Sequence, residues 1–410
     1  MNNKFVSYLM FAMITLAVST TDIYVPAMPE MVTYFKTSAD LVGLTITSVL
    51  IGCAFGTLIW GVFSDTYGRK PVLIVNLILY SLISLLIACS PNIYCIIVLR
   101  FFQGVVTSVF AIVCRLLLND FLEGKELYKA MNLINLGLVL SPALAPVVGA
   151  QLSTWFDWRA NFTFSCVGWI IMLVVFIKTV KETNKKKTGK LPSFGAWFGD
   201  YFKVIRHTHY SINNIMIMAN YAIYFAFITI SSFIYITDLH FSPTLYALML
   251  LVASGSYFLG SLYAKYIRSR NENKKYIDIM LIADVITLLG AFLLVINYFS
   301  HSYLAQVILI SLALGLTRFG FGLMFTPGQM RTLDFFPDKS GYALGACFFL
   351  MFLSGSFGAA WVSSFHRSPM LGLAVVITTL SVILILLHYV ARNGWHLLSR
   401  FRLFTKNRNR

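Results

Sequence analysis

Charge is scarce in this chain. Asp, Glu, Lys and Arg make up 12% of its 410 residues against 58% hydrophobic, at a mean hydropathy of +0.76, and no water-soluble domain carries that balance. Acids are scarcer than bases, 16 against 32, so a single carboxylate inside an apolar stretch stands out. Cysteine is sparse too. The six (Cys53, Cys89, Cys95, Cys114, Cys166, Cys347) form no CxxC pair and have no histidine close by in sequence, which argues against zinc or dithiol chemistry and leaves them as small packing residues. Also missing are a GxxxxGK[ST] phosphate loop, an HExxH pair and a GxSxG nucleophile turn. ATP-driven transport is thereby unsupported, an enzyme would need an unfamiliar intramembrane site, and neither enzyme activity, a metal nor a cofactor is expected.

What remains is hydrocarbon in long runs. An apolar helix of about 20 residues crosses a hydrocarbon core about 30 Å thick. Twelve such segments lie along the chain, at roughly 6–29, 41–63, 71–90, 93–118, 130–152, 161–179, 211–236, 245–267, 276–298, 303–326, 341–365 and 369–391. Their length suits helices and not barrel strands, so the expected fold is an all-α polytopic membrane protein with 12 transmembrane helices. The first run lacks the small-x-small exit of a cleaved leader and ends in Pro26, Ala27, Met28 and Pro29, so it is expected to be retained. With the N-terminus placed in the cytoplasm, about 26 of the 32 Lys and Arg fall on cytoplasmic segments. About three lie in outer loops (Lys36, Arg159, Arg367) and about three inside spans (Arg100, Arg115, Arg318). Both termini are then cytoplasmic. The same bias accounts for the net charge of +16, which needs no nucleic acid and is drawn to anionic lipid.

The largest basic block, Lys178, Lys181, Lys185, Lys186, Lys187 and Lys190, divides the spans six and six. Two six-helix halves are expected at 1–180 and 211–392, with a basic linker at 181–210 and a basic tail at 393–410. In the linker, Phe194, Trp197, Phe198, Tyr201, Phe202 and Ile205 recur at helical spacing behind Ser193 as N-cap. That suits either a short helix in the membrane interface or an early start to the seventh span. An echo between Gly61–Arg69 after the second span and Gly260–Arg268 after the eighth suggests two related halves with a substrate site between them.

The most informative residue is Asp22, alone in the first span within Thr20, Thr21, Asp22, Ile23, Tyr24, Val25, Pro26. A carboxylate in lipid is costly and marks an ion path, a substrate path or a proton relay. A second informative stretch is Gly61-x-x-x-Asp65-x-x-Gly68-Arg69-Lys70-Pro71. Gly68 permits a left-handed turn, Asp65 would be held by neighbouring donors, Arg69 and Lys70 would anchor the inner face, and Pro71 can open the next helix.

This stretch closely resembles the loop signature of the major facilitator superfamily, with Val62 in place of a frequent Pro and Thr66 in place of a frequent basic residue. Arg100, Phe101, Phe102, Gln103 and Gly104 are similar to the arginine segment of that superfamily's drug:proton antiporters. Asp120 falls where the family places an acid of the inner-loop charge network. In the fifth span Ser141 to Ala150 resembles the antiporter motif, with Pro146-x-x-Gly149 as the firm match and Pro142 beside it. Together with Thr21–Pro29 and Trp158, Arg159, Ala160, the resemblance narrows to the Bcr/CflA-type branch, near the MdfA-like multidrug exporters, strongly in the first half and mainly by layout in the second. It implies a proton-coupled exporter of drug-like molecules in the bacterial inner membrane, acting as a monomer by alternating access. An exporter dedicated to an endogenous metabolite such as a siderophore, an uptake symporter, and a non-transporting receptor remain alternatives.

Residue counts then suggest partners. Asp22 and Arg100 lie at similar depth from the outer surface, roughly 10 Å at 1.5 Å per residue. In the resembled family the first and fourth helices both line the cavity. Arg100 would favour ionised Asp22 and a low-dielectric cavity its neutral form, so protons and a lipophilic or cationic substrate could compete for the carboxylate; a permanent ion pair joining two helices is the alternative. Close relatives carry a second acid two turns earlier, where this chain has Ile14, so coupling through one site is expected. Asp284 and Arg318 also lie at matching depth and read as a structural salt bridge. Arg115 is expected to reach Asp120 or Asp65. Tyr24, Tyr221 and Tyr224 are candidate stacking residues of the cavity, and Asn132 and Asn220 candidate polar contacts. Gly52-x-x-x-Gly56, Gly341-x-x-x-Gly345 and Gly355-x-x-Gly358 read as close helix contacts, either between the halves or as plain packing. Pro26, Pro29, Pro142 and Pro146 are expected to bend their helices without breaking them.

Overall fold

The computed structural model describes residues 3–406, apart from 185–188, 190, 192–193, 271–275, 337–339 and 366–367. Lys185, Lys186, Lys187, Lys190, Ser193 and Arg367 therefore lie outside the described residues, as does the side chain of Asn132. The described chain is helix throughout, without a strand. The first half comprises α1 (Asn3–Asp22), α2 (Met28–Phe35), α3 (Ala39–Tyr67), α4 (Arg69–Ala88), α5 (Ile93–Phe121), α6 (Gly124–Trp155) and α7 (Arg159–Thr179). A separate short helix, α8 (Phe194–Ile205), precedes the second half: α9 (Thr208–Ser232), α10 (Pro243–Arg270), α11 (Tyr276–Phe299), α12 (Tyr303–Phe335), α13 (Ser340–Ser363) and α14 (Pro369–Lys406). Eleven of the described helices are long and apolar enough to cross a membrane when α1 and α2 count as one span, and α6, 32 residues long, occupies the position of the fifth expected span. The linker helix is its own element and packs on α13, so the seventh span does not start early.

The prolines behave differently in the two places they were expected to bend. α6 runs unbroken through Pro142 and Pro146. Span one breaks instead. Pro26 has no N–H to offer the Asp22 carbonyl and Pro29 none for Val25, so α1 stops at Asp22 and a turn of 3-10 helix, Val25–Ala27, carries the chain to α2. Asp22 is thus the last residue of a helix.

Each half contains a pair of helices locked reciprocally at the backbone. In the first, a side chain on Gly52 would strike the Phe101 carbonyl oxygen and one on Gly104 the Val49 carbonyl oxygen, joining α3 to α5. In the second, Gly260 meets the Phe319 carbonyl and Gly322 the Tyr257 carbonyl, joining α10 to α12. In both pairs each glycine faces the carbonyl three residues before its counterpart. This reciprocity makes Gly52 the equivalent of Gly260, and Gly104 that of Gly322. The Gly61–Gly260 echo is out of register: Gly61 has nothing nearer its missing side chain than Ile112, at 4.0 Å. Gly52 and Gly56 pack within the first half, and Gly355 and Gly358 pack on α9 within the second. The glycine that meets the opposite half is Gly43, against Ser363 and Thr229.

Candidate functional site

The two halves meet along α3 with α13 and along α6 with α10. Away from the Gly61–Arg69 loop they are closed: Gly43 abuts Ser363, and Gln151 donates to the Thr244 hydroxyl at 3.3 Å. Toward that loop they part around a cavity of about 180 Å³ that extends from Asp22 to Arg115. Its first-half wall comes from α1, α3, α5 and Pro142. Its second-half wall is aromatic: Tyr221, Tyr224, Phe225, Tyr257, Phe321 and Phe352, among others. In the described lining Asp22 is the only carboxylate, and Arg115 and Arg318 are the cations.

Asp22 is 4% exposed and accepts a hydrogen bond from the Tyr224 hydroxyl at 3.4 Å, across the boundary between the halves. Tyr224 also lies flat beneath Arg318, with the guanidinium carbon 4.0 Å from its ring centre. Arg318 is nine-tenths buried and its Nη1 has no hydrogen-bond partner. Arg318 lines the same small crevice as Asp22. The antiporter motif supports this corner. Pro142, Pro146, Asp22, Tyr224 and Arg318 share one crevice, and a side chain on Gly149 would strike the Ile23 carbonyl, so only glycine lets α6 close on the break in span one.

The expected Asp22–Arg100 pair does not form. Arg100 is fully buried inside the first half, with Nη1 donating to the Thr20 carbonyl at 3.0 Å and to Gln103 Oε1 at 2.8 Å. Gln103 in turn donates to Ser84 at 2.9 Å. Thr20 and Asp22 are two residues apart, about 200° around a helix, so the arginine that reaches one cannot face the other. Tyr24 goes with Arg100 and not with the cavity: its ring lies 4.4 Å beneath that guanidinium and its hydroxyl is 2.8 Å from Thr45. Arg318 is the equivalent residue of the other half, four positions before Gly322 as Arg100 is before Gly104, and stacked on a tyrosine in the same way. The signal was in the sequence as Arg-Phe-x-x-Gly at 100–104 and again at 318–322.

The expected Asp284–Arg318 bridge is likewise absent. Along α12, Ala313, Thr317 and Gly320 face α11, whereas Arg318, Phe321 and Phe325 face the cavity. Matching depth fixed the height of the two residues but not their direction around the helix. Asp284 instead accepts from Asn220 Nδ2 at 2.8 Å and lies 2.9 Å from His388 Nδ1, which takes Asn220 out of the cavity as well. Arg115 lines the cavity, and Asp65 and Asp120 both bond Arg69.

The loop motif is assembled around that arginine. Arg69 is buried and bonds Asp65 at 2.6 Å, Asp120 at 3.1 Å and the Ser64 hydroxyl at 2.7 Å, while Gly68 turns at φ 109°. Lys70 reaches the Ile177 carbonyl at 3.1 Å. Glu182 and Asn184, on the segment leaving the first half, carry no motif signal in the sequence. Glu182 accepts from the backbone N–H groups of Arg69 (3.0 Å) and Lys70 (3.3 Å), covering the start of α4, and Asn184 donates to the Ser64 and Asp65 carbonyls.

Two helical halves around a central cavity, with one carboxylate at their junction, define a polytopic membrane transporter. The chain belongs to the Major Facilitator Superfamily, whose profile matches residues 9–359. Relatives include a transporter of Rickettsia bellii (25% identical; 92% of this chain, 94% of that one) and multidrug resistance protein D of Escherichia coli (25% identical; 79% and 80%). A bicyclomycin resistance protein homolog of Haemophilus influenzae is 34% identical over 40% of this chain and 42% of its own. These relatives place it with the Bcr/CflA-type drug exporters. The fold is that of solved transporters: the xylose transporter XylE of E. coli, in a partially occluded inward-open conformation (TM-score 0.69, 15% identical; 94% and 97% covered), and the nucleoside transporter NupG (TM-score 0.68, 14% identical; 95% and 98%).

Proposed function

We propose that this chain exports drug-like or small-metabolite molecules across the bacterial inner membrane in exchange for protons, and that Asp22 is where proton and substrate are exchanged. The carrying observation is that Asp22, the one described carboxylate of the cavity wall, is held by Tyr224 from the opposite half. Its protonation state then bears on a contact between the two parts that must separate in alternating access. On this reading residues 1–180 and 211–392 are the rocking halves, and 181–210 and the tail 393–410 are cytoplasmic and lie against anionic lipid. The cavity then faces the cytoplasm and the Gly43–Ser363 side faces out, an inward-facing state of a monomer.

The lining bears on substrate charge. The second-half wall is aromatic and offers stacking surfaces, while Arg115 and Arg318 outnumber Asp22, and that excess of positive charge favours flat neutral molecules with acceptor groups over permanent cations. Everted membrane vesicles with an acidified lumen test the proposal. Chloramphenicol or tetraphenylphosphonium should alkalinise the lumen of wild-type vesicles, chloramphenicol more strongly, and Asp22→Asn should abolish the response. Proton-coupled transport at the wild-type rate in Asp22→Asn would sink the role given to Asp22.

A further inference from the structure

The second half holds a titratable cluster that the cavity does not use. Asp284 on α11 is fully buried, His388 on α14 is 3% exposed, and His388 Nδ1 lies 2.9 Å from Asp284 Oδ2. Asn220 on α9 donates to Oδ1 at 2.8 Å. His388 Nε2, equally buried, has no partner. A carboxylate and an imidazole in contact, away from water and inside the membrane, are an expensive way to hold helices together, and such groups mark ion paths. They share protons as a pair and not as separate residues.

The neighbouring charges do not neutralise the pair. α9 carries His209 and the Asn220 amide, α11 Asp278, α12 Arg318 and, near its end, Arg331 and Asp334, α13 no charged residue, and α14 Arg392, His396, Arg400, Arg402 and Lys406 beyond His388. Among described side chains Asn220 donates to Asp284 and His388 lies at ion-pair distance from it, whereas Arg318 is turned to Tyr224. The cluster also has a mechanical connection to the transport site. Asn220 and Tyr224 are four residues apart on α9, one turn, so a single helix face binds Asp284 through one residue and Asp22 through the other.

We infer that Asp284 and His388 form a second proton-binding site of the transport cycle, carrying one proton per turnover beyond the one at Asp22, and reporting to Asp22 through α9. The inference rests on the proposed antiport. The count of protons decides it. In everted vesicles clamped to zero membrane potential with a pH difference of one unit, an antiporter of a neutral substrate holds a gradient of about 10-fold if it exchanges one proton and about 100-fold if it exchanges two. This end point does not depend on how much protein is folded. With chloramphenicol as probe, wild type should reach about 100-fold, and Asp284→Asn and His388→Gln each about 10-fold. A wild-type ratio near 10-fold, or variants that hold the wild-type ratio, overturns the second site and leaves the exporter reading intact. No chloramphenicol-dependent proton movement in wild type overturns both.

Discussion

Tyr224 touches both charges at the top of the cavity, its hydroxyl bonding Asp22 and its ring supporting Arg318. The hydroxyl contact is long and the stacked contact close, so the ring should matter more. Tyr224→Phe is expected to lower pH-driven efflux no more than a few-fold. Tyr224→Ala, which also removes a cation–π contact of about 2 kcal/mol when desolvated, should lower it about 10-fold or more. Initial efflux rates in vesicles, normalised to protein content, separate the two. Arg318→Gln is expected to be at least as harmful as Tyr224→Ala, because it removes the guanidinium that shares the Asp22 crevice and stacks on Tyr224. Arg100→Gln should instead show first as lost thermal stability, since Arg100 binds Thr20, Gln103 and Tyr24 inside one half.

Several helix pairs here meet at the backbone, through glycine. At Gly104 even a methyl group would press on the Val49 carbonyl, whereas at Gly61 the space is open. Gly104→Ala should therefore lower the melting temperature in detergent, at a cost of about 1–3 kcal/mol. Gly61→Ala should leave it unchanged or raise it, because alanine is the better helix former by about 1 kcal/mol. The apolar runs, the loop motif and Asp22 were legible in the sequence because hydropathy, turn chemistry and the cost of a buried charge are local properties. The partners were not. Counting residues from a span's end gives height, while partnership also depends on the direction around the axis, about 100° per residue. Thr20 and Asp22, or Thr317 and Arg318, are near neighbours in height and face different helices. His388 escaped notice because it lies near the end of its span, and its meaning came only with Asp284 beside it.

At the scale of the whole molecule, export requires the Gly43–Ser363 contact to open. The position of a Cβ on Gly43 would be 3.4 Å from that of Ser363, close to the separation a disulfide spans. A Gly43→Cys, Ser363→Cys double variant should cross-link under mild oxidation and stop efflux, with dithiothreitol restoring it. Efflux that continues in the cross-linked protein would mean that this side does not open during transport. Loosening the opposite side is a separate experiment. Glu182→Ala frees the start of α4 and removes one tie between the connecting segment and the loop motif. It is expected to shift the balance toward the alternative state, read as slower entry of chloramphenicol from the cytoplasmic side.

The scattered thiols acquire a use from this arrangement. Cys53 lies on the cavity wall, whereas Cys89 and Cys95 are exposed near the far ends of α4 and α5. A maleimide that cannot cross the bilayer would tag the latter two from one compartment, and reach Cys53, buried here, from the other only where the cavity opens wider. The wild-type molecule thus carries a built-in pair of colour channels: turnover would be visible as the Cys53 tag beginning to arrive from the wrong compartment, without a single engineered residue.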